Sequence, residues 1–469
     1  MDDTKRIMIA FVLVFLILLL YNQLFYKPPP KKAETVKEVV EVKEEPVIEE
    51  KKKPEFPEST ITVEKRNYRA VITNYGAGLK SLYLKEYKAE LMGDVNFISS
   101  YGDSDVISSF SLKRNGDTVF GIRGTFKKIY IFDEYGFRVL SEPPGKERIS
   151  IENGLAVTEF KNRGDDLKRF ACYVRTDQVR KVKVKEPKRY LYNPAWIGLR
   201  NKYFFMVLEP VRPIESFTLF RTEDKRYGLE ITTIRTELKV SFLPIDYWFL
   251  ADFKKDYEKI TTGGLFGPIG RLILRFFRFL FPIIGNFGFV IMIFALLVKL
   301  ILHPLNRQQL AMQHKMQLLQ PELERLKKKY KDDPQGLNRE MMNLYKAHGF
   351  NPAGCFLPLI IQLPLFMALY NMLLTSIDFR QAPFVFWIKD LSVKDPYYVL
   401  PIVMGAMFLI QSLITTTDPR NRMMSIFMPI FFTFIFLNFP SGLQLYWLSF
   451  NLFSIIESLW YRRLAGGIR

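Results

Sequence analysis

The sequence predicts two structural classes in one chain: a membrane α-helical bundle of six transmembrane helices, five of them forming a core, and an all-β sandwich domain. Hydropathy is the first reason. Of the 469 residues, 27–263 are polar and charged, whereas 283–305 and 353–463 are dominated by Phe, Leu, Ile and Met. That division reads as a soluble domain attached to a membrane domain. The second reason lies in the polar half, where β-branched and aromatic residues run between Gly breaks, as in "STITVEKRNYRAVITNYGAGLKSLYL". The third is an asymmetry of charge between the loops of the apolar half.

The elements follow in chain order. Residues 1–26 carry an apolar run from Ile7 to Leu20 with no small-x-small cleavage site after it, so they read as an uncleaved signal-anchor helix. Lys5 and Arg6 are balanced by Asp2 and Asp3, and its own flanks do not orient it. Residues 27–58, "KPPPKKAETVKEVVEVKEEPVIEEKKKPEFPE", are dense in charge and Pro and predict a disordered, extended tether. Residues 59–255 form the β-sandwich, with Asn115-Gly116 and Asn153-Gly154 placed as hairpin turns. A binding or spacer domain is expected there. All three histidines, His303, His314 and His348, lie outside it, and no carboxylate pair stands out. The two cysteines, Cys172 and Cys355, fall in different halves, which predicts no disulfide and no cysteine metal site.

Residues 264–282 include "GPIGRLILRFFRFLFP", in which Arg271, Arg275 and Arg278 share one helical face. This predicts an amphipathic helix in the headgroup plane, its guanidiniums toward lipid phosphate and Pro282 closing it. The plainer alternative is the first part of the next span. Five spans follow within 283–463, near 286–305, 355–375, 397–415, 425–439 and 443–461, with Pro440-Ser441-Gly442 as a tight turn. The loop 306–352 has nine Lys/Arg against five acids, whereas 376–396 has three of each. Residues 417–424 carry two Arg and one Asp, and the short tail at 464–469 continues from Arg462 and Arg463. The basic loops all fall on one side, so they and both termini are cytoplasmic, and the β-domain lies outside, in the periplasm of a bacterium with an outer membrane. Within 306–352, Met312, Met316, Leu319, Leu323, Leu326 and Tyr330 form one apolar seam, and Leu337, Met341 and Leu344 form another. With "KDDPQG" between them they predict an antiparallel helical hairpin, broken or kinked at Pro321.

Three stretches carry a family resemblance. "LQPELERLKKKYKDDPQGLNREMMNLYKAHGFNPAGCFLPLIIQLPLFMALYNML", "RQAPFVFWIKDLSVKDPYYVLPIVMG" and "FPSGLQLYW" resemble the YidC membrane-insertase family, densely so from 286 to 463. The order of anchor, tether, periplasmic β-domain and five core spans is similar to the Gram-negative form. The resemblance implies a non-enzymatic insertase and chaperone that places integral membrane proteins in the inner membrane, alone or with the Sec translocon. It implies no cofactor, and the chain has no GxxxxGKS/T phosphate loop. Implied partners are nascent membrane proteins, the Sec translocon, membrane lipids, and the ribosome through the hairpin and the 417–424 loop. The net charge of +19 is spread along the chain with no nucleic-acid motif, so no specific nucleic-acid sequence is expected as a partner.

Lys299 is the leading site residue. It interrupts "NFGFVIMIFALLVKLILHPL" after thirteen uncharged residues, at a cost of about 3 kcal/mol on insertion scales. Read from the residues alone, a wet groove and simple snorkelling to the headgroups stand level; the resemblance favours the groove. The family's charge at this place is usually Arg, and Lys keeps the charge but loses the planar fork. Gln362, Gln411, Gln444, Tyr446, Trp447 and Asn451 are candidate groove residues, with Ser458 on the same stripe of the last span. For Gln362 and Gln411 the alternative is an ordinary interhelical hydrogen bond, and for Tyr446 an interfacial anchor. Glu457 is expected to balance Arg462 and Arg463. Two rival functions remain: a transporter or channel, which predicts broken spans in symmetric halves, and an anchored periplasmic sugar enzyme, which needs an acid–base pair in 59–255.

Overall fold

The computed structural model describes residues 41–42, 56–93, 96–101, 108–160, 163–261, 266–331, 333–348, 357–415 and 422–466. The anchor 1–26, most of the tether, the 349–356 segment with Cys355, and 416–421 lie outside these. The chain divides into two compact units, residues 1–262 and 263–469.

The first unit is β-rich, and every strand pairing in it is antiparallel, in sheets of nine, six and four strands. The nine-stranded sheet centres on Trp196–Arg200, Phe204–Pro210 and Glu237–Pro244. Phe204 to Leu208 are buried on both faces, and one of those faces is covered by helix α2 (Tyr247–Asp252) and a 3-10 turn, Tyr257–Ile260. Helix α1 (Arg163–Arg169) precedes it in sequence. Asn115-Gly116 makes the expected hairpin, with Gly116 at a φ of 58° between Ser111–Asn115 and Thr118–Arg123. Asn153-Gly154 does not: the strand Glu147–Ile151 pairs with Tyr227–Thr233 and Ile98–Tyr101 instead.

Both domain boundaries move outward from 59 and 255. Phe56 packs edge-on to Tyr75, the Asn74 amide donates to the Pro57 carbonyl at 3.1 Å, and Glu58 pairs with Lys80 at 2.6 Å. Glu41–Val42, inside the expected tether, pairs with Arg189 and Tyr190. At the other end Tyr257 and Ile260 complete the core, and Arg200 donates to the Ile260 carbonyl at 2.8 Å. A tether rich in charge thus ends in three residues that the first strands hold by side-chain bonds.

The second unit is helical: α3 (Gly267–Ile284), α4 (Phe287–Ile301), α5 (His303–Lys329), α6 (Pro334–Ala347), α7 (Leu357–Thr375), α8 (Val399–Thr415), α9 (Arg422–Phe436) and α10 (Ser441–Gly466). α10 packs against α4, α7 and α8. The boundaries have local causes. Gly285 takes the left-handed conformation, φ 74°, and its N–H bonds the Phe281 carbonyl, which ends α3. Pro282 therefore sits in the last turn of α3 rather than closing it. Asn286 caps α4 by accepting from Gly288 N at 2.8 Å, and Asp333 caps α6 by accepting from Gly336 N at 2.9 Å. α5 and α6 form the expected hairpin around Leu319, Leu323, Met341, Leu344 and Tyr345. Pro321 does not break α5, because Leu319 and Leu323 on either side of it are both held against α6.

Among the described residues no helix is long and apolar enough to cross a membrane by itself. α4, α8 and α9 have 15, 17 and 15 residues, which rise about 22–26 Å against a hydrocarbon core of ~30 Å. The longer α10 carries Gln444, Asn451, Glu457 and Arg463.

The β-rich unit buries the amine of Lys128 completely. Its Nζ donates to the carbonyls of Phe97 and Gly76 beneath the Tyr130 ring. Burial pushes the ammonium down to about 7, against the opposing pull of Glu147. Between about 7 and the ordinary 10.5 the unfolded chain holds a proton that the folded chain lacks, so this group adds stability as pH rises through that window. In urea unfolding of the β-rich unit, the stability of wild type relative to Lys128→Met is expected to climb from pH 7 to pH 10. A difference that stays flat across those pH values would show that Lys128 is protonated in the fold.

Candidate polar groove

Lys299 lies on α4, and its side chain is 10% exposed. It faces α10. Its Nζ is 2.7 Å from Glu457 Oε2, donates to Ser454 Oγ at 2.9 Å, and lies 4.9 Å above the ring of Phe450. The other Glu457 oxygen, Oε1, is 2.6 Å from His303 Nδ1. The chain passes from α4 to α5 through Leu302 in right-handed helical conformation, so Lys299 and His303, four apart, point the same way. Phe450, Ser454 and Glu457 answer them at spacings of four and three. The carboxylate thus bridges two side chains of one continuous helical face. The sequence places Glu457 beside Arg462 and Arg463; both its oxygens are instead engaged across the bundle.

The polar stripe of α10 extends outward from this cluster. Ser454, Ser458 and Asn451 are buried, as is Gln444. The serine hydroxyls donate back to backbone carbonyls: Ser449 to Leu445, Ser454 to Phe450 and Ser458 to Ser454, at 2.8–2.9 Å. That leaves their lone pairs facing the neighbouring helices. Asn451 Nδ2, Trp447 Nε1, Asn306 Nδ2 and Gln444 Oε1 are buried with no protein hydrogen-bond partner among the described residues. Buried polar atoms are rarely left unpaired; three of them on one stripe of α10, with Asn306 on the α5 face that carries His303, mark a place where water or a guest's polar groups complete the bonding.

The remaining predicted residues divide. Gln362 donates to the Tyr446 hydroxyl at 3.0 Å, joining α7 to α10, and both are buried. Trp447 is surrounded by the rings of Phe366, Phe408, Phe436 and Tyr446. Gln444 holds backbone instead. Its Nε2 donates to the carbonyls of Phe436 and Phe439 at 2.8 and 3.0 Å, clamping the turn between α9 and α10. Gln411 is half-buried on α8. Sequence reasoning does not single out His303, Asn306 or Ser454. The spacing of Lys299 and His303 is readable, but which residues of α10 oppose them depends on helix register.

The three arginines of α3 do not all turn to lipid. Arg278 makes two hydrogen bonds to Asp378, Nε to Oδ1 at 3.0 Å and NH2 to Oδ2 at 2.7 Å. Arg271 is half-buried and Arg275 exposed, and Leu272, Phe279 and Ile283 are exposed beside them. The outward face of α3 is therefore mainly apolar. An arginine that finds a carboxylate in reach takes the bidentate partner first.

A family model described as "60Kd inner membrane protein" matches residues 279–466. A "Membrane protein insertase YidC" of Geotalea uraniireducens is 32% identical, over 98% of this chain and 99% of that protein. One from Francisella tularensis subsp. novicida is 45% identical over 210 residues, 44% of this chain and 38% of that protein. A crystal structure of an active YidC insertase with its first transmembrane domain resolved covers 95% of this chain and 98% of its own, at 22% identity and a TM-score of 0.45, so the assignment stands on the sequence relatives. With the Geotalea daltonii protein also 30% identical from end to end, over 98% of this chain and 99% of that one, the chain belongs to the YidC family of membrane protein insertases.

Proposed function

We propose that this insertase works through a hydrated groove lined by α4, α5, α7 and α10, with Lys299 as the cation that receives acidic client segments. The cluster of Lys299 with buried, unpartnered polar atoms on α10 carries this reading. Such groups are costly in an apolar bundle unless water reaches them. Insertion makes and breaks no covalent bond, so no residue is assigned a catalytic role. The barrier is desolvation of the client's polar segment. A wet groove shortens the apolar distance that segment must cross, and burial of the client's hydrophobic span in lipid drives the step. The membrane potential adds an outward pull on acidic tails.

The finer architecture belongs to the same proposal. Six spans in the inner membrane, with both termini cytoplasmic and the β-sandwich in the periplasm, agree with the loop charges. On that orientation α3 lies at the periplasmic surface with Leu272, Phe279 and Ile283 in lipid, and the α5–α6 hairpin stands in the cytoplasm. Its Arg325, Lys328, Lys329 and Lys331 are exposed or half-buried, a surface suited to ribosomal RNA phosphate, and the Sec translocon is proposed as a neighbour in the membrane.

Two experiments test this. Deleting residues 56–260 while keeping 1–55 is expected to leave basic insertion intact, because the groove and hairpin lie in the other compact unit; loss of insertion at normal membrane levels of the truncated protein would refute the modular reading. For the groove, two single-span clients differing only in tail charge are compared on Lys299 variants. Lys299→Arg is expected to retain activity. Lys299→Ala should lower insertion of the acidic client by about tenfold, the scale on which a fixed field concentrates counter-ions, and Lys299→Glu should lower it further. Equal insertion of the acidic client by all three variants would make Lys299 a structural anchor.

A further inference from the structure

The ammonium of Lys299 has three N–H donors, and α10 alone supplies three partners for them: Glu457 Oε2 at 2.7 Å, Ser454 Oγ at 2.9 Å and the Phe450 ring face at 4.9 Å. The Ser454 proton is already given to the Phe450 carbonyl, so a lone pair meets Lys299. The groove cation is therefore fully coordinated before any client arrives. We propose that Glu457 is its resident counter-ion and a specificity-determining residue of the insertase: a client carboxylate reaches Lys299 by exchanging with Glu457, which stays with His303. The proposal rests on the reading of Lys299 as a client contact.

Two features make Glu457 exchangeable. Its carboxylate is shared, with Oε1 at 2.6 Å from His303 Nδ1. When Oε2 leaves Lys299, the charge keeps a hydrogen-bond partner and is not stranded in an apolar site, the outcome that makes breaking a buried pair so unfavourable. The cluster is also open on one side. Lys299 and Glu457 side chains are 10% and 12% exposed, but His303 is 43% exposed. A carboxylate entering past His303 meets Glu457 first and takes its place on Lys299.

Exchange changes what the groove selects. An uncovered cation attracts every anion, headgroups and solutes included. A cation already paired gains little from a weak or distant anion and yields only to a carboxylate that reproduces the geometry Glu457 vacates. Specificity then arises as a difference between two carboxylates competing for one ammonium. The Lys299–Glu457 pair carries no net charge. Glu457→Gln makes it +1 and Lys299→Gln makes it −1. The double variant returns it to zero without a cation.

Those charges set the test. Full-length variants are reconstituted in vesicles of phosphatidylethanolamine and phosphatidylglycerol. Two single-span clients are used, identical except that Asp and Glu in the translocated tail of one are Asn and Gln in the other. The readout is the ratio of acidic to neutral client inserted, which cancels differences in folded protein. Glu457→Gln is expected to raise the ratio, and Lys299→Gln to lower it, each by about threefold or more. Lys299→Gln/Glu457→Gln is expected to recover toward wild type. If Lys299→Gln lowers the ratio while Glu457→Gln leaves it unchanged or lowers it, the groove stands and the counter-ion proposal falls. A double variant no better than Lys299→Gln also overturns it. If neither single variant moves the ratio, Lys299 is not a client contact and both readings fall together. Should Glu457→Gln fail to accumulate, His303→Ala carries the test: it removes the partner that holds the released carboxylate, so the ratio must fall, and an unchanged ratio overturns the exchange.

Discussion

One buried ammonium and the carboxylate that neutralises it constrain the rest of the helical unit. A charge on α4 among Phe, Ile, Leu and Val is unfavourable by itself. It is retained because α10 offers an anion, a hydroxyl and a ring face within about two turns. Those three groups meet Lys299 only if α10 lies against α4 in a single register. The pair therefore adds less to stability than to specificity: it rejects every alternative sliding of α10, since a shift of one turn would strand both charges.

The other end of α10 is held with equal definition. Ser441 Oγ bonds the carbonyls of Asp390 and Val393 at 3.0 and 2.8 Å, and Gln444 clamps Phe436 and Phe439. At the start of α4, Asn286 both caps the helix and donates to the Phe384 carbonyl at 3.1 Å. The loop between α7 and α8 thus grips the first turns of both helices. Fixed there, α4 and α10 run together until Lys299 faces Glu457. Between the two fixed ends lie Asn451 and Trp447, whose buried N–H groups find no protein acceptor among the described residues. The unsatisfied polar stretch sits where packing is determined from both sides, so the helices cannot shift to remove it.

What the sequence shows of this is local. The helices Val399–Thr415 and Ser441–Gly466 begin within a few residues of their predicted starts, because Pro, Asn and Gly signals act over one turn. The hairpin is readable from its seam, although the effect of Pro321 is not, since the packing of Leu319 and Leu323 on α6 outweighs a local preference. Lys299 stands out as a charge in an apolar run. Its partners do not: Ser454 lies 155 residues away, and no periodicity in either helix states their mutual register. Arg278 escapes for the same reason. Its face is basic, as the spacing says, but Asp378, 100 residues on, claims it before lipid does. Spacing tells which residues share a face, and only the assembled fold tells what that face meets.

The choice of lysine fits the carboxylate opposite it. The family resemblance leads one to expect arginine here, which keeps the positive charge and presents its donors in a planar fork. Lysine offers separate donors on one nitrogen, so one bond to Glu457 can be exchanged while those to Ser454 and Phe450 remain. His303 completes the arrangement by holding the released carboxylate on the same helical face. A point-charge cation, a shared counter-ion and a second basic partner are three parts of one device. Each would be less useful without the others: an unshared Glu457 would have no second partner when a client carboxylate displaces it from Lys299.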